Sequence, residues 1–141
     1  MSKTSFGFVR GFLASLLSLG ASLAVNAATF TYTANLDGAS ENPSNLSPGT
    51  GFAEITWDNV AHTLRVQANF SDLTGTVTAA HIHCCIAAPG NVGVATMTPT
   101  FAGFPSGVTS GSYDNVFDLM LASSWNTSFL SAQGGTTNAA E

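Results

Sequence analysis

Thr63-Leu64-Arg65-Val66-Gln67-Ala68-Asn69-Phe70 is the stretch of this 141-residue chain that decides its fold class. Every second side chain is apolar, and the side chains between them are polar or charged. A period of two is typical of a β-strand that turns one face to a core and the other to water. The stretch therefore predicts a half-buried strand.

The same period continues on both sides of this strand. Further strands are predicted at Phe30 to Leu36, Gly51 to Trp57, Thr76 to His83, Val92 to Thr98 and Tyr113 to Leu121. Asp58 to Ala61 is predicted to be a hairpin connection. Short strands separated by turn-forming residues predict an all-β fold, an antiparallel Greek-key β-sandwich that is immunoglobulin-like or superoxide-dismutase-like.

A long loop, Thr98 to Ser112, carries two aromatic residues, Phe101 and Phe104. Apolar residues in loops usually cover other apolar surface. We therefore expect both rings to close an open edge of the core rather than to bind a ligand.

The spacing changes from strand to helix after Leu121. Trp125, Phe129 and Leu130 recur at helical intervals, which predicts a short C-terminal helix. Ser123-Ser124 is the expected N-terminal cap and Gly134-Gly135 the expected end. Thr136 to Glu141 is typical of the start of another helix.

The first 27 residues have the three parts of a secretory signal peptide. Lys3 and Arg10 supply positive charge, Gly11 to Ala24 is an uncharged apolar run, and Val25-Asn26-Ala27 fits a cleavage site. The run is too short to cross a membrane. We therefore expect a signal peptide at 1–27, a domain at 28–141 and a secreted, periplasmic or extracellular product with no transmembrane segment.

The charge balance excludes one class of partner. Three Lys and Arg residues stand against eight Asp and Glu residues, and only 8% of the chain is charged. Three cations cannot form the basic patch that a phosphate backbone requires, so no nucleic-acid partner is expected. Removal of residues 1–27 leaves Arg65 against the same eight acids, a net charge of −7.

The one motif that could carry chemistry is His81-Ile82-His83-Cys84-Cys85. Residues i and i+2 of a strand point to the same side, so His81 and His83 could hold one metal ion between them. Imidazole suits Zn or Cu, and a thiolate of Cys84 or Cys85 could add a softer ligand. The alternative is a pair of half-buried histidines with hydrogen-bond partners in the protein and no cofactor.

Cys84-Cys85 has several possible states in an oxidising compartment. A bond between neighbouring cysteines is strained, because their Cα atoms lie closer than in most disulfides. The alternatives are two free thiols, an intermolecular link or a thiolate metal ligand.

The other candidate residues do not form a catalytic set. His62 is expected to be a solvated loop residue. Asp114 and Asp118 lie on one face of a predicted strand, but nothing defines a cleft around them. No serine lies in a nucleophile elbow and no phosphate-binding glycine motif precedes a helix, so no catalytic residue and no enzymatic activity are expected.

A series of short motifs resembles a known family. The motifs are Leu36-Asp37-Gly38-Ala39-Ser40-Glu41-Asn42-Pro43, Gly49-Thr50-Gly51, Leu73-Thr74-Gly75 and Ala80-His81-Ile82-His83. Together they resemble the CHRD domain, which is named for chordin and is also found in bacterial secreted proteins. The segments Pro89 to Ala95 and Phe104 to Tyr113 are similar to the bacterial branch, which often carries a C-terminal sorting tail.

The resemblance implies an extracytoplasmic β-sandwich module with no established catalytic activity. Its partner would be an extracellular protein or matrix component. Members of the family usually continue with a helix and a final strand that bears another histidine motif. The resemblance therefore implies that the CHRD-like domain at 28–141 is incomplete at its C-terminus.

A second likeness concerns the histidine motif alone. Ala79-Ala80-His81-Ile82-His83 is similar to a stretch of the copper/zinc superoxide dismutases, which are also sandwiches. Their dinuclear centre takes about six histidines and an aspartate. The chain has three histidines, so dismutase activity is not expected.

Overall fold

Four antiparallel strands form the centre of the molecule in the computed structural model, which describes residues 28–87 and 90–141. They are β1 (Thr29–Asp37), β2 (Thr50–Asp58), β3 (Thr63–Ser71) and β4 (Gly111–Asp118). The strands pair in chain order, so the stretch quoted first is the third strand of the sheet. The all-β class is confirmed. The expected signal peptide, 1–27, lies outside the described residues.

The registers keep apolar and polar side chains on opposite faces of the sheet. Ile55 of β2 stands opposite Tyr32 of β1 and Val66 of β3, and Leu64 stands opposite Phe117 of β4. Because cross-strand partners share a face, one face is mainly apolar, with Asn115 of β4 as a polar exception, and the other carries mainly Thr, Asn, Gln, Asp and Glu. We call these the inner and outer faces.

The hairpin between β2 and β3 is confirmed, and a side chain fixes it. Asp58 Oδ1 accepts hydrogen bonds from the backbone N–H groups of Val60 (2.9 Å) and Ala61 (2.8 Å). These bonds to the ionised form lower the pKa of Asp58.

Two of the six predicted strands are wrong. The segments 76–83 and 92–98 lie outside the sheet and contact each other through an isolated bridge between His83 and Val94 and a backbone hydrogen bond from Ala95 N–H to the carbonyl oxygen of Ile82 (2.9 Å). Side-chain hydroxyls replace part of the usual strand pairing: the N–H of Ala80 donates to Thr100 Oγ1 (3.1 Å), and that of Ile82 donates to Thr96 Oγ1 (2.9 Å). Where the period of two predicted a strand, these hydroxyl groups satisfy backbone N–H groups that have no partner strand.

The segments 76–83 and 92–98, together with the loop that follows them, form a second layer against the inner face. Ala80, Ile82, Met97 and Phe104 pack against the core residues of the sheet. The arrangement is sandwich-like, but only the first layer is a regular sheet. Among the described residues the strand order is that of a meander, without the crossover of a Greek key.

The core is a small aromatic cluster between the two layers. Phe101 is 3% exposed and its ring stacks on Phe117, with the ring centroids 5.2 Å apart. The hydroxyl of Tyr113 donates to the carbonyl oxygen of Ala102 (2.8 Å), and burial raises the pKa of Tyr113. Phe104 packs beside the cluster. The expectation that Phe101 and Phe104 close the core is confirmed.

The chain ends in short helices, as predicted, but the cap differs. A 3₁₀ turn (Ala122–Ser124) precedes α1 (Thr127–Ala132) and α2 (Thr137–Ala140). Asn126 caps α1 by accepting from the N–H groups of Ser128 and Phe129. Ser124 lies two positions before the cap, in the 3₁₀ turn, and its hydroxyl donates to the carbonyl oxygen of Asp118 (2.6 Å). Within the described part of the chain, no helix has the length and apolarity needed to span a membrane.

Phe101→Ala tests the role of this cluster. Truncation of a buried aromatic ring leaves a cavity, so we expect a loss of about 3–5 kcal/mol in the free energy of unfolding, measured by urea denaturation. Phe101→Leu should lose less. Val116→Ala, on the outer face, is the control and should stay within about 0.5 kcal/mol of the parent. A loss of similar size in both alanine variants would contradict this assignment of the core.

Candidate functional site

An apolar groove lies between the inner face of the sheet and the second layer, with a volume of about 550 Å³. One wall is formed by the sheet, one by the segment around the Cys84-Cys85 pair, and one by the C-terminal helices. The lining residues are Tyr32, Ile55, Trp57, Leu64, Ile82, His83, Cys84, Cys85, Ile86, Ala95, Thr96, Leu119, Trp125, Phe129, Ala140 and Glu141. We refer to this set as the apolar groove.

Aromatic pairs stand on opposite walls of the groove. Trp57 stacks on Phe30 with ring centroids 5.0 Å apart, and Trp125 stacks on Phe129 at 5.8 Å. The indole N–H of Trp57 donates to Glu141 Oε1 (2.9 Å). That of Trp125 donates to the carbonyl oxygen of Leu119 (2.8 Å). Because both indole donors are used within the protein, the two tryptophans offer an occupant apolar surface.

The β1 side of the groove is open to solvent. Tyr32 is 56% exposed and Phe30 is 40% exposed, although both lie on the inner face. Within residues 28–87 and 90–141, the second layer packs on the core at β3 and β4, where Val66 and Phe117 are buried, and leaves Phe30 and Tyr32 of β1 exposed. The apolar inner face therefore continues beyond the groove onto an uncovered strand.

Glu141 links the C-terminal helix to the sheet at one end of the groove. Its side chain is only 8% exposed, and Oε2 lies 2.7 Å from Nδ1 of His62. Together with the bond from Trp57, this contact holds α2 against β2. His62 was expected to be solvated; its ring is instead half-exposed and paired. No local pattern could show this, because the two residues are 79 positions apart.

His81 and His83 do come together, with ring centroids 4.8 Å apart. Nδ1 of His81 lies 3.1 Å from the carbonyl oxygen of Pro99, and Nδ1 of His83 lies 2.6 Å from that of Val92. A carbonyl oxygen can only accept, so each neutral ring carries its proton on Nδ1 and its lone pair on Nε2. We call these two residues the histidine pair.

Cys84 and Cys85 form a disulfide with each other, so both cysteines of the chain are oxidised in this structure. A metal is bound by a thiolate, and neither sulfur is a thiolate in this state. Any ligation by the cysteines would first require reduction of the bond. The described residues contain no group of three or more His, Cys, Asp or Glu side chains that could hold a metal ion.

Asp114 and Asp118 share the outer face, as expected, but other groups engage them. Arg65 donates two hydrogen bonds to the carboxylate of Asp114, at 2.8 and 2.6 Å, and these lower the pKa of Asp114. Asp118 accepts from the backbone N–H of Met120 (2.8 Å). Neither carboxylate lines the apolar groove.

The CHRD domain model matches residues 32–136 of the chain. This chain belongs to the CHRD domain family. The match spans β1 from Tyr32 onward, β2, β3, β4, α1 and the histidine pair, as the order of sequence motifs indicated. The CHRD domain is not a known enzyme family. Neither the curated proteins nor the solved structures contain a significant match to the chain.

Glu141→Ala tests the link between α2 and the sheet. It removes an acceptor for Trp57 and the partner of His62, so we expect a loss of roughly 1–3 kcal/mol in the free energy of unfolding and altered tryptophan fluorescence. Glu41→Ala removes an exposed loop carboxylate and is the matched control. Equal stability and identical emission spectra for the two variants would show that the link does not hold α2.

Proposed function

We propose that the protein is a secreted, non-enzymatic CHRD-type module that binds an extracellular protein or matrix component through the apolar groove. The exposure of Phe30 and Tyr32 at the β1 side of the inner face carries this proposal. Contiguous apolar surface that remains open to solvent is typical of interaction sites.

The composition of the groove and its surroundings supports this role. Most of its lining side chains are apolar or aromatic, and Glu141 at one end is the one carboxylate among them. Binding interfaces have the same anatomy, with an apolar core that is depleted of charge and a polar rim. Aromatic anchors such as Trp57 and Trp125 are the residue type that contributes most to such contacts.

Removal of the expected signal peptide fits the same proposal. Residues 28–141 hold eight acidic side chains and one arginine, which keeps an exported module soluble. Seven of the acids lie on the outer face and in the loops, and the eighth, Glu141, stands at one end of the groove. Solubility and an open apolar surface are therefore compatible in this chain.

A neutral apolar fluorophore, N-phenyl-1-naphthylamine, tests whether the groove accepts an apolar occupant. Both tryptophans of the chain line the groove, so we expect saturable binding with energy transfer from tryptophan to the probe. Ile86→Asp places a charge on the groove wall and should weaken binding by at least about tenfold.

Val116→Asp is the matched control for this test. Val116 is 55% exposed on the outer face and Ile86 is 59% exposed in the groove. The two substitutions therefore introduce the same charge at similarly exposed positions and differ in location. The control should bind the probe like the parent. Absence of saturable binding, or equal weakening by both substitutions, would refute the groove as the binding surface.

A second candidate function is the binding of a transition metal by the histidine pair. The favouring observation is that both Nδ1 atoms bond to backbone carbonyls. This arrangement fixes ring orientation and tautomer in metal sites and leaves Nε2 as the ligand. Two imidazoles bound to one Zn²⁺ through Nε2 have their ring centroids roughly 5 Å apart, close to the separation here.

Such a site would have two protein ligands, His81 and His83, with water completing the coordination. Among divalent ions, Cu²⁺ binds nitrogen sites most strongly, so copper is expected before zinc. Cys84 and Cys85 could add a thiolate only after reduction of their disulfide.

Titration with CuCl₂ or ZnCl₂, followed by calorimetry on protein purified without a polyhistidine tag, tests the metal site. We expect one Cu²⁺ per chain, with affinity lowered by about tenfold or more in His81→Ala and His83→Ala. His62→Ala is the control, because it removes the one other histidine of the chain. Equal affinity in all three variants would exclude the histidine pair as the metal site.

A further inference from the structure

β1 is an edge strand without the usual protection. It runs for nine residues, from Thr29 to Asp37, and pairs with β2 on one side. Within residues 28–87 and 90–141, no strand pairs with its other side. Natural edge strands are usually blocked by lysine, proline, a bulge or a covering segment. β1 has no lysine or proline, its register with β2 is continuous over all nine pairs, and the second layer does not cover it.

The charge of the strand restricts what can pair with it. Thr29 to Leu36 carries no charged residue, and Asp37 stands at the C-terminal end. A charged peptide would therefore gain no complementary contact along the strand, whereas a neutral strand would meet no repulsion. The opposite edge of the sheet, β4, carries Asp114 and Asp118, so pairing between two copies at that edge would bring carboxylates together.

The sequence of β1 is complementary to itself in an antiparallel pair. Centred on Thr33, such a pair places Phe30 of one copy opposite Leu36 of the other and Tyr32 opposite Ala34. All four are even-numbered residues of the inner face. The alternating residues, Thr29, Thr31, Thr33, Asn35 and Asp37, then share the outer face. Apolar residues thus meet apolar residues, and polar residues meet polar ones.

We propose that the β1 edge pairs with the β1 edge of a second copy of the chain, antiparallel and centred on Thr33, to form a continuous eight-stranded sheet. This inference rests on the proposed binding role and names the partner for the β1 side of the groove. The two Asp37 side chains would lie at opposite ends of the strand pair, about 26 Å apart along the strands. That separation exceeds the Debye length of about 8 Å at physiological ionic strength, so their repulsion is screened.

The pairing also accounts for the exposed aromatic residues. Phe30, Tyr32 and Leu36 are 40%, 56% and 40% exposed in a single copy. In the pair they would form one apolar strip with their counterparts, and the two grooves would lie side by side on the same face. The main-chain groups at the free edge of β1 would gain partners at the same time.

Thr33→Lys separates pairing from folding. Thr33 stands opposite Glu54 in its own sheet, so a lysine there faces a carboxylate and the single copy should keep its stability. In the proposed pair the two introduced lysines face each other. Sedimentation velocity over a range of concentrations should show a dimer for the parent, with its dissociation constant raised by about tenfold or more in Thr33→Lys.

The direction of this effect is diagnostic because the substitution lowers the net negative charge of each copy. General repulsion between acidic chains would fall, which would favour association. Ser112→Lys makes the same change of charge on β4 and is the matched control; it should leave the dimer intact. An equimolar mixture of Thr33→Lys and Thr33→Glu should restore association.

A parent protein that stays monomeric at all concentrations would overturn the proposal. So would a dimer that is weakened equally by Ser112→Lys and Thr33→Lys, or one that survives Thr33→Lys. Capture of an extended segment of another protein at β1 by a monomeric parent would also overturn it. Fluorophore binding by Thr33→Lys keeps the two proposals separate, because residue 33 lies on the outer face and the groove remains intact. A monomeric parent that binds the fluorophore refutes the second copy alone.

Discussion

The requirement that one apolar face be covered governs this structure. A meander of four strands with a strict period of two collects its apolar side chains on the inner face, from Phe30 on β1 to Phe117 on β4. A single sheet cannot bury that face by itself. Phe101 supplies the cover over β3 and β4, where it stacks on Phe117 and lies next to Val66 in the core. The remaining chain is arranged around that contact.

The way the cover is built determines the candidate sites. The segments above the sheet are irregular, so their backbone groups need partners that a second regular sheet would have provided. Thr96 and Thr100 accept from backbone N–H groups, while the imidazoles of His81 and His83 donate to the carbonyl oxygens of Pro99 and Val92. The same hydrogen bonds that satisfy the loop fix the histidine rings. In the histidine pair, the hydrogen bonds that the irregular backbone requires therefore also orient both rings in a way that could suit a metal ion.

The structural features that depend on local sequence pattern were predicted correctly. The alternation in β1, β2, β3 and β4, the hairpin at Asp58 and the short C-terminal helices needed only near neighbours in the chain, and each was found. The segments 76–83 and 92–98 have the same period but were wrong as strands. The hydroxyl oxygens of Thr96 and Thr100 accept hydrogen bonds from backbone N–H groups of the first segment instead. Alternation alone cannot show whether a backbone N–H group will bond to a neighbouring strand or to a side chain.

The candidate site was predictable only in part for the same reason. The spacing of His81 and His83 correctly placed the two rings near each other, and the order of short motifs correctly indicated the CHRD family. The apolar groove was missed, although Trp57 was placed at the end of a predicted strand. The groove is made by the packing of the second layer and the C-terminal helices on the sheet, and this packing depends on contacts between distant residues such as Glu141 and His62.

The distribution of charge explains how an open apolar surface can be tolerated. Apart from Glu141 at one end of the groove, the acidic residues lie on the outer face and in the loops, and the uncharged stretch Thr29 to Leu36 lies at the edge of the sheet. Long-range repulsion between copies opposes random association, yet it is weak along Thr29 to Leu36, which carries no charge, and between the two Asp37 side chains, which lie far apart in the pair. Such a surface favours contacts that align β1 over contacts elsewhere. The absence of charge along Thr29 to Leu36 thus leaves β1 open to pairing with another strand and also favours contacts there over contacts at the charged surfaces.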